Sequence, residues 1–176
     1  MTDTMTPEQR HRCMSHIRSR DTKPELKVRR WLWHHGYRYR IGVRSVPGKP
    51  DIVMRPYRTA IFVNGCFWHG HEGCKSFRLP QTNSDFWQTK IARNRSRDQR
   101  NYQLLRDNGW HVIVVWECQL APAQLESTMR QVELQLNQNM LALYQHTPPT
   151  YHLQDNPLPI AAEEEPSFGT STTDTP

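Results

Sequence analysis

The segment FVNGCFWHGHEGC, at positions 62–74, concentrates side chains that commonly bind metals. Cys66, His71 and Cys74 have the identities and the short spacing of zinc ligands. A closed structural zinc site needs a fourth ligand, and Cys118, at the end of an apolar predicted strand, is suited to that position. Two disulfides among the four cysteines of the chain are the alternative, which a reducing compartment disfavours. The sequence therefore predicts one zinc site that joins this segment to a β-sheet.

His69 lies within the same segment but outside the predicted ligand set, so its imidazole is free to act as a general base. A long predicted helix carries Asp98 on a face whose apolar ends, Ile91 and Leu105, should point to the core. An acid on such a face needs a hydrogen-bonding partner. A hydrogen bond from His69 to Asp98 would fix the tautomer of the imidazole and raise its basicity. The alternative is a loop histidine without a catalytic role.

The motif GKPDIV offers a different kind of ligand. Asp51 opens a predicted strand directly after Pro50, and a second predicted strand ends at Val63 and Asn64. A carboxylate beside an exposed backbone carbonyl can hold a hard divalent ion, although Pro-Asp also simply begins strands. The arrangement resembles the PD-(D/E)xK nuclease core, but FVNG replaces the usual acid-x-Lys. A nuclease of this kind would need another group, such as His69, to activate water.

A basic stripe runs along the long predicted helix at three- and four-residue spacing and is suited to phosphates; a solvated helix face would have the same pattern. Its members are Lys90, Arg93, Arg97 and Arg100.

Large aromatic residues lie close to this stripe. Phe67 and Trp68 follow a predicted zinc ligand in a loop where both are difficult to bury, and Trp87 begins the basic helix. Exposed aromatic rings amid positive charge can stack on nucleobases or wedge between them. For any single ring, core packing is the alternative.

The elements that position these residues follow from local patterns. We predict an α/β fold with a small mixed β-sheet flanked by helices, in which PDIVM and TAIFVN form a hairpin and the apolar WHVIVVWEC is the central strand. A capping box, Thr22-x-x-Glu25, starts a helix that stops at Gly36. The other predicted elements are a first helix from Thr6 that carries Met14 and Ile17 on one face, a strand YRYRIGV, a helix over 83–108 and a helix over about 122–144.

Charge is distributed unevenly along the 176 residues. Residues 1–120 contain 22 Lys and Arg against 10 Asp and Glu, whereas residues 121–176 contain 1 against 7. A basic body indicates a polyanionic partner, most simply nucleic acid. We expect one domain over 1–145 and a disordered Pro-rich, acidic tail over 146–176. No apolar run approaches membrane-spanning length and no signal peptide begins the chain, so a cytoplasmic protein without membrane contact is expected.

Several long motifs, in order between Arg10 and Leu120, resemble the very-short-patch-repair (Vsr) DNA mismatch endonucleases. They are MSHIRSRDTKPE, PGKPDIV, IFVNGCFWHGH, DFWQTKIARNRSRD and GWHVIVVWEC. The resemblance implies a bacterial, nucleoid-associated, monomeric nickase that depends on magnesium. It would cut double-stranded DNA 5′ to the thymine of a T:G mismatch left by deamination of 5-methylcytosine. Contact with other mismatch-repair proteins is a further expectation.

The resemblance also implies roles for individual residues. Asp51 matches the magnesium-binding carboxylate, and Val63 matches the residue whose backbone carbonyl meets the metal. His69 matches the general base, Asp98 its partner, and Glu25 an acid behind them. The structural zinc ligands match Cys66, His71, Cys74 and Cys118; the major-groove wedge matches Phe67, Trp68 and Trp87; Met14 and Ile17 in the N-terminal helix, residues 1–20, match side chains inserted from the minor groove.

Two other functions compete with this one. A restriction-type or other repair nuclease on the same core would differ in the sequence it recognises. A zinc-containing DNA-binding module without activity would leave Asp51, His69 and Asp98 without a purpose. Asn64 stands where some family members have histidine, so the sequence assigns it no role.

Overall fold

The computed structural model describes Thr6, Glu8, Gln9, Arg12, Ser15, His16 and residues 20–146. Met14, Ile17 and the predicted tail beyond residue 146 lie outside the described residues, so what we expect of them stays a prediction. The described elements are α1 (Lys23–His34), β1 (Ile52–Met54), β2 (Thr59–Asn64), α2 (Ser84–Asp107), β3 (His111–Trp116) and α3 (Leu125–His146), with one-turn 3₁₀ helices at Arg55–Tyr57 and Glu117–Leu120. The predicted mixed α/β fold, a small sheet flanked by helices, is confirmed.

Helix α1 begins as its capping residues predict. The Thr22 side chain accepts a hydrogen bond from the backbone N–H of Glu25, and its hydroxyl donates to Glu25 Oε1 at 2.8 Å. The helix ends before Gly36, whose φ of +83° favours glycine. Its apolar face buries Val28 and Leu32 completely against the sheet.

The sheet has the order β1-β2-β3. Strands β1 and β2 form the predicted antiparallel hairpin, in which Ile52 pairs with Ile61. Strands β2 and β3 are parallel, from Thr59 opposite His111 to Asn64 opposite Trp116. The prediction that β3 is central was wrong: β2 is central, and β3 lies at the edge of the described sheet. An apolar, β-branched composition reports burial and not strand order: Ile113 and Val115 of β3 are buried although the strand lies at the edge, while the other four residues of β3 are only partly buried.

The predicted strand YRYRIGV was also wrong. Residues 37–43 make only one isolated bridge, between Arg40 and Val53. The alternation arises because Tyr37 is buried in the core and Tyr39 packs against it, with the Tyr39 hydroxyl donating to the Arg29 carbonyl at 3.1 Å. Aromatic residues packed into the core at alternate positions therefore gave the sequence pattern of a strand, although this segment forms no ladder of hydrogen bonds.

Two hydrophobic clusters lie on opposite faces of the sheet. One includes Ile52, Met54 and Ile61 with the buried faces of α1 and α3, and the other includes Val53 and Phe62 with Leu105 of α2. The split follows from the two-residue period of the strands. Helix α2 agrees with its predicted bounds and faces, because Ile91 and Leu105 are buried and the residues of the basic stripe are exposed. No helix in the described part of the chain has the length and apolar character to cross a membrane.

We predict that Leu136→Ala on α3 lowers the free energy of unfolding by about 2–5 kcal/mol, because Leu136 is completely buried and its truncation leaves a cavity. Leu134, on the same helix, is 58% exposed and provides a matched control, since Leu134→Ala should change the free energy by less than about 0.5 kcal/mol. Urea denaturation of both variants measures the difference. Equal losses would contradict the packing of α3.

Candidate active site and metal cluster

A cleft of about 890 Å³ opens at the edge of the sheet where β2 and β3 end. Because parallel strands deliver their carboxyl ends to one edge, the segments that follow β2 and β3 meet there. The structure brings Asp51, His69 and Asp98 together in this cleft, along with Glu25 and Val63. All five are residues that the sequence singled out.

Asp51 lies directly before β1 and is held by the neighbouring strand. The backbone N–H of Val63 donates a hydrogen bond to Asp51 Oδ2 at 2.8 Å. Burial raises the pKa of Asp51 to about 6; the hydrogen bond from Val63 works against this rise and the negative charge of Glu25 adds to it. A nearby cation would stabilise the ionised form of this buried carboxyl group.

Glu25 is buried behind Asp51, and its carboxylate is engaged by three donors. Thr22 Oγ1 lies 2.8 Å from Oε1, while the Asp21 backbone N–H at 3.1 Å and Arg29 Nη2 at 2.7 Å donate to Oε2. Arg29 is itself buried and donates to Asp21 Oδ1 at 2.5 Å as well. Glu25 is therefore a fixed negative charge at the wall of the cleft.

His69 and Asp98 form a directed pair. His69 Nδ1 lies 2.5 Å from Asp98 Oδ2, and Arg97 Nη2 donates to Asp98 Oδ1 at 3.0 Å. Burial acts to raise the pKa of Asp98, but the hydrogen bonds from His69 and Arg97 outweigh it and hold that pKa below its ordinary value. An ionised carboxylate only accepts, so Nδ1 carries a proton, and in the neutral imidazole Nε2 then holds the lone pair. This tautomer is the one that a general base requires.

Backbone contacts fix the loop that carries His69. The His69 N–H donates to the Gly65 carbonyl at 3.2 Å, and the side chain of Asn94 donates to the Trp68 carbonyl at 2.9 Å. Gly70 packs so closely on α2 that an added Cβ would lie 2.6 Å from Ile91 Cγ2. A side chain at position 70 would therefore push the loop away from the helix.

Four metal-ligating side chains converge beside the cleft. The ligand atoms of Cys66, His71, Cys74 and Cys118 all lie within 4.8 Å of one another. His71 Nδ1 is 3.6 Å from Cys66 Sγ and 3.4 Å from Cys118 Sγ, and its ring stacks on Trp116 with centroids 4.0 Å apart. The predicted convergence is confirmed, except that Cys118 belongs to the 3₁₀ turn after β3 rather than to the strand.

The thiols of this cluster are unequal. Burial raises the pKa of Cys66 to about 12 and raises that of Cys118, whereas the backbone N–H of Ser76 lowers the pKa of Cys74. Three thiols and one imidazole this close together form a soft donor set suited to a metal ion.

The predicted aromatic residues form one cluster at the start of α2. The rings of Phe67, Trp68 and Trp87 meet edge to face, with centroids 5.2–5.9 Å apart, and each is half-buried. Phe86, which the sequence analysis missed, stacks edge-on against Trp87 and is 57% exposed. The Lys90 ammonium lies 5.6–5.8 Å from the centroids of the Trp68, Phe86 and Trp87 rings. The cluster is thus partly open and cationic.

The predicted basic stripe divides into two parts. Lys90 covers the aromatic cluster and Arg97 lines the cleft. Arg93 and Arg100 instead line a shallow groove of about 410 Å³, together with small residues of α2 such as Ser96. Residues seven apart on a helix lie almost above one another, which explains the pairing 90 with 97 and 93 with 100.

The cleft also contains three residues that the sequence did not predict, namely Lys49, Asn101 and Glu117. These three residues come from distant parts of the chain. Only Lys49 could have been suspected from the sequence, because it lies next to the Pro-Asp motif. Asn64, whose role the sequence left open, is buried in the cleft wall and donates through Nδ2 to the Tyr102 hydroxyl at 3.0 Å.

This is a mixed α/β protein in which an acid and a histidine share a cleft beside a soft Cys/His cluster, an arrangement able to perform metal-assisted hydrolysis. A family model described as DNA mismatch endonuclease Vsr matches residues 2–75. With that match and the relatives below, the chain belongs to the Vsr family, which supports a DNA endonuclease that acts on mismatches or nicks DNA.

Three relatives illustrate the similarity. The type II nicking enzyme V.XorIIP of Xanthomonas oryzae pv. oryzae is 46% identical over 133 residues, 75% of this chain and 97% of that protein. The type II nicking enzyme V.NmeAIP of Neisseria meningitidis is 47% identical over 120 residues, 68% of this chain and 85% of that protein. The DNA mismatch endonuclease Vsr of Escherichia coli is 41% identical over 120 residues, 68% of this chain and 76% of that protein.

We predict that Asp51→Asn stabilises the protein at pH 7.5 when divalent ions are absent. The folded pKa of about 6 exceeds the ordinary value of 3.8, so wild-type stability falls as pH rises between these two values. Asparagine removes the buried charge, and the gain is at most about 3 kcal/mol. Urea denaturation at pH 7.5 and at pH 3.0, where Asp51 is mostly protonated in both the folded and the unfolded state, checks this. A gain of the same size at both pH values would contradict it.

Proposed function

We propose that this chain is a mismatch-repair endonuclease that nicks one DNA strand 5′ to the thymine of a T:G mismatch by magnesium-dependent hydrolysis. The observation that carries the proposal is the meeting of Asp51 with the oriented His69–Asp98 pair in one open cleft. The Escherichia coli relative, a DNA mismatch endonuclease, supports the substrate class. The T:G specificity rests on the family resemblance described above.

The donor atoms at the cleft fit magnesium. Asp51 offers a carboxylate whose burial without a cation raises its pKa, and hard ions prefer such oxygen ligands. In an extended strand the N–H and C=O of one residue point to the same side. Since the Val63 N–H meets Asp51, its carbonyl faces the same side and would complete the pair of ligands. Magnesium bound there would polarise a phosphodiester oxygen and lower the pKa of bound water.

His69 and Asp98 act together to remove the proton of the attacking water. His69 Nε2 accepts a proton from the attacking water while Asp98 stabilises the imidazolium that forms. The water oxygen forms a bond to phosphorus, the bond from phosphorus to a bridging oxygen breaks, and the departing oxygen takes a proton from solvent. Arg97 keeps Asp98 ionised, and Glu25 remains in its three hydrogen bonds behind the reacting groups.

The Cys/His cluster fits structural zinc. Tetrahedral zinc holds sulfur at about 2.3 Å and nitrogen at about 2.0–2.1 Å, which separates the two atoms by about 3.5 Å. The distances of 3.6 and 3.4 Å from His71 Nδ1 to two of the sulfurs agree with this value. Zinc would tie the loop that carries His69 to the turn after β3.

The aromatic cluster suits recognition of a weakened base step. A T:G pair keeps hydrogen bonds, so base edges alone give modest discrimination, whereas a mispair is easier to unstack. Phe67 and Trp68 lie next to a ligand of the proposed zinc site, which would make them rigid enough to enter the stack. Lys90 adds a cation for the adjoining phosphates.

Nicking assays test the proposal directly. Purified protein with Mg²⁺ should nick a T:G duplex in the thymine strand, 5′ to the mismatched thymine, and leave the matched T:A duplex intact. Equal nicking of both duplexes at a fixed sequence would favour a restriction-type nuclease. Binding without nicking would favour the DNA-binding module and overturn the proposal.

We predict that His69→Ala slows nicking by about 10²–10⁴-fold, the usual contribution of a general base. Asp98→Asn should cost less, because it misorients the imidazole without removing it. Single-turnover rates on the T:G duplex measure both variants. A slower Asp98→Asn than His69→Ala would contradict the assignment of these roles.

We predict that the purified protein contains about one equivalent of zinc in tetrahedral coordination. Cys118→Ser should lose the metal, lower the melting temperature and reduce activity, because it frees the catalytic loop from the turn after β3. Cys13→Ser is the control, since the four-ligand set is complete without it. Elemental analysis that finds no zinc in active wild-type protein would refute the site.

We predict that the double variant Phe67→Ala/Trp68→Ala loses most activity and the preference for T:G over T:A, but keeps salt-dependent binding to any duplex. Trp33→Ala removes a different exposed ring, 55% accessible, and should leave the preference intact. The ratio of nicking rates on the two duplexes is the measurement. An unchanged ratio in the double variant would mean that these rings serve the core.

A further inference from the structure

Lys49 occupies an unfavourable backbone conformation at the mouth of the cleft. Its φ is +53°, a region that L-residues with a Cβ rarely adopt, and the proline that follows restricts it further. Gly48, before it, also has a positive φ, and an added Cβ there would lie 2.9 Å from Asn101 Cβ and 3.3 Å from Phe62 Cζ. Packing of this turn against α2 and β2 therefore holds Lys49 in place.

Other residues with this conformation have an evident reason for it. Four non-glycine residues of the described chain have a positive φ. Asp21 is ion-paired with Arg29, Arg58 donates to the carbonyls of Asn108 and Gly109, and asparagine, at position 83, tolerates the conformation. Lys49, by contrast, forms no hydrogen bond or ion pair within the described chain. Strained residues whose side chains do not serve the fold concentrate at functional sites.

The charges of the residues that line the cleft indicate a function for the Lys49 side chain. Four carboxylates line the cleft, from Glu25, Asp51, Asp98 and Glu117, and only two cations, Lys49 and Arg97, appear among its described lining residues. Arg97 is engaged with Asp98. The β2 residues that line the cleft, Phe62, Val63 and Asn64, are uncharged. A phosphodiester anion entering this acidic cleft therefore meets Lys49 as its one cation without an ion-pair partner among these residues.

We infer that Lys49 is a further catalytic residue, whose ammonium binds a non-bridging oxygen of the scissile phosphodiester and stabilises the negative charge that grows there during hydrolysis. The inference rests on the proposed function. Charge that develops in the transition state is best met by a cation positioned before the reaction, and the constrained turn at Gly48 fixes the backbone from which the Lys49 side chain extends at the cleft.

Four variants separate this role from a structural one and from general attraction to DNA. Lys49→Met removes the charge, Lys49→Arg keeps a cation, and Lys49→Gly removes the side chain while relieving the backbone. Arg44→Met is the matched control, because Arg44 is an exposed cation of the same loop that is not among the residues lining the cleft. The readouts are the nicking rate over a range of T:G duplex concentrations with Mg²⁺, which gives both the rate at saturation and KM, and the melting temperature without DNA.

Lys49→Met and Lys49→Gly should slow nicking at saturating DNA by about 10²–10³-fold, as the loss of one fixed donor does elsewhere. Lys49→Arg should recover most of the rate, and Arg44→Met should retain it. Lys49→Gly should melt at or above the wild-type temperature, since glycine adopts positive φ without strain.

Three results would overturn the inference. They are a Lys49→Met rate equal to that of Arg44→Met, an effect confined to KM, or a Lys49→Gly protein that melts below wild type. If wild-type protein does not nick at all, the proposed function fails and this inference fails with it. Wild-type nicking with an unaffected Lys49→Met overturns the inference alone.

Discussion

Parallel pairing of β2 with β3 is the interaction on which both sites depend. Val63 lies opposite Val115 and Asn64 opposite Trp116, so the two strands end together. The chain that leaves β2 supplies Cys66 and the loop that carries His69, and the chain that leaves β3 supplies Cys118. A slip of one residue would turn every side chain of β3 to the other face of the sheet and separate the ligands.

The cluster and the cleft are mechanically linked. His69 lies between two residues of the Cys/His cluster, Cys66 and His71, and its N–H bonds to Gly65 within the same turn. Its other support is Asp98 on α2, which packs against the sheet through Leu105. Both supports are connected to the sheet. The loop that carries His69 follows β2 directly, and α2, which carries Asp98, packs against the sheet. The imidazole therefore keeps its orientation only while the loop remains closed on α2.

Local signals predicted much of this arrangement. The bounds of α2 were predicted to within one residue, and the face that carries Asp98 followed from its helical spacing, because capping and periodicity act over a few residues. The convergence of the four soft ligands was predicted because three of them are close in sequence. Their zinc occupancy and the catalytic roles stay predictions.

The features that depend on contacts between distant parts of the chain could not be predicted from the sequence. The edge position of β3 is set by strand order, and the loop at Tyr37 and Tyr39 is set by tertiary anchoring rather than by pairing. Three residues of the cleft come from separate elements, so no short sequence motif predicts them together. They are Lys49, Asn101 and Glu117. The division of the basic stripe likewise appears only when the cleft and the aromatic cluster are in place.

The most direct test of the central claim, that this cleft hydrolyses DNA with His69 as the base, is chemical rescue. His69→Gly protein with Mg²⁺ and a T:G duplex should be nearly inactive, and added imidazole should restore nicking in proportion to its concentration, because free imidazole can occupy the space beside Asp98. Asp51→Ala protein should gain nothing from imidazole. Full nicking by His69→Gly without imidazole would contradict the claim.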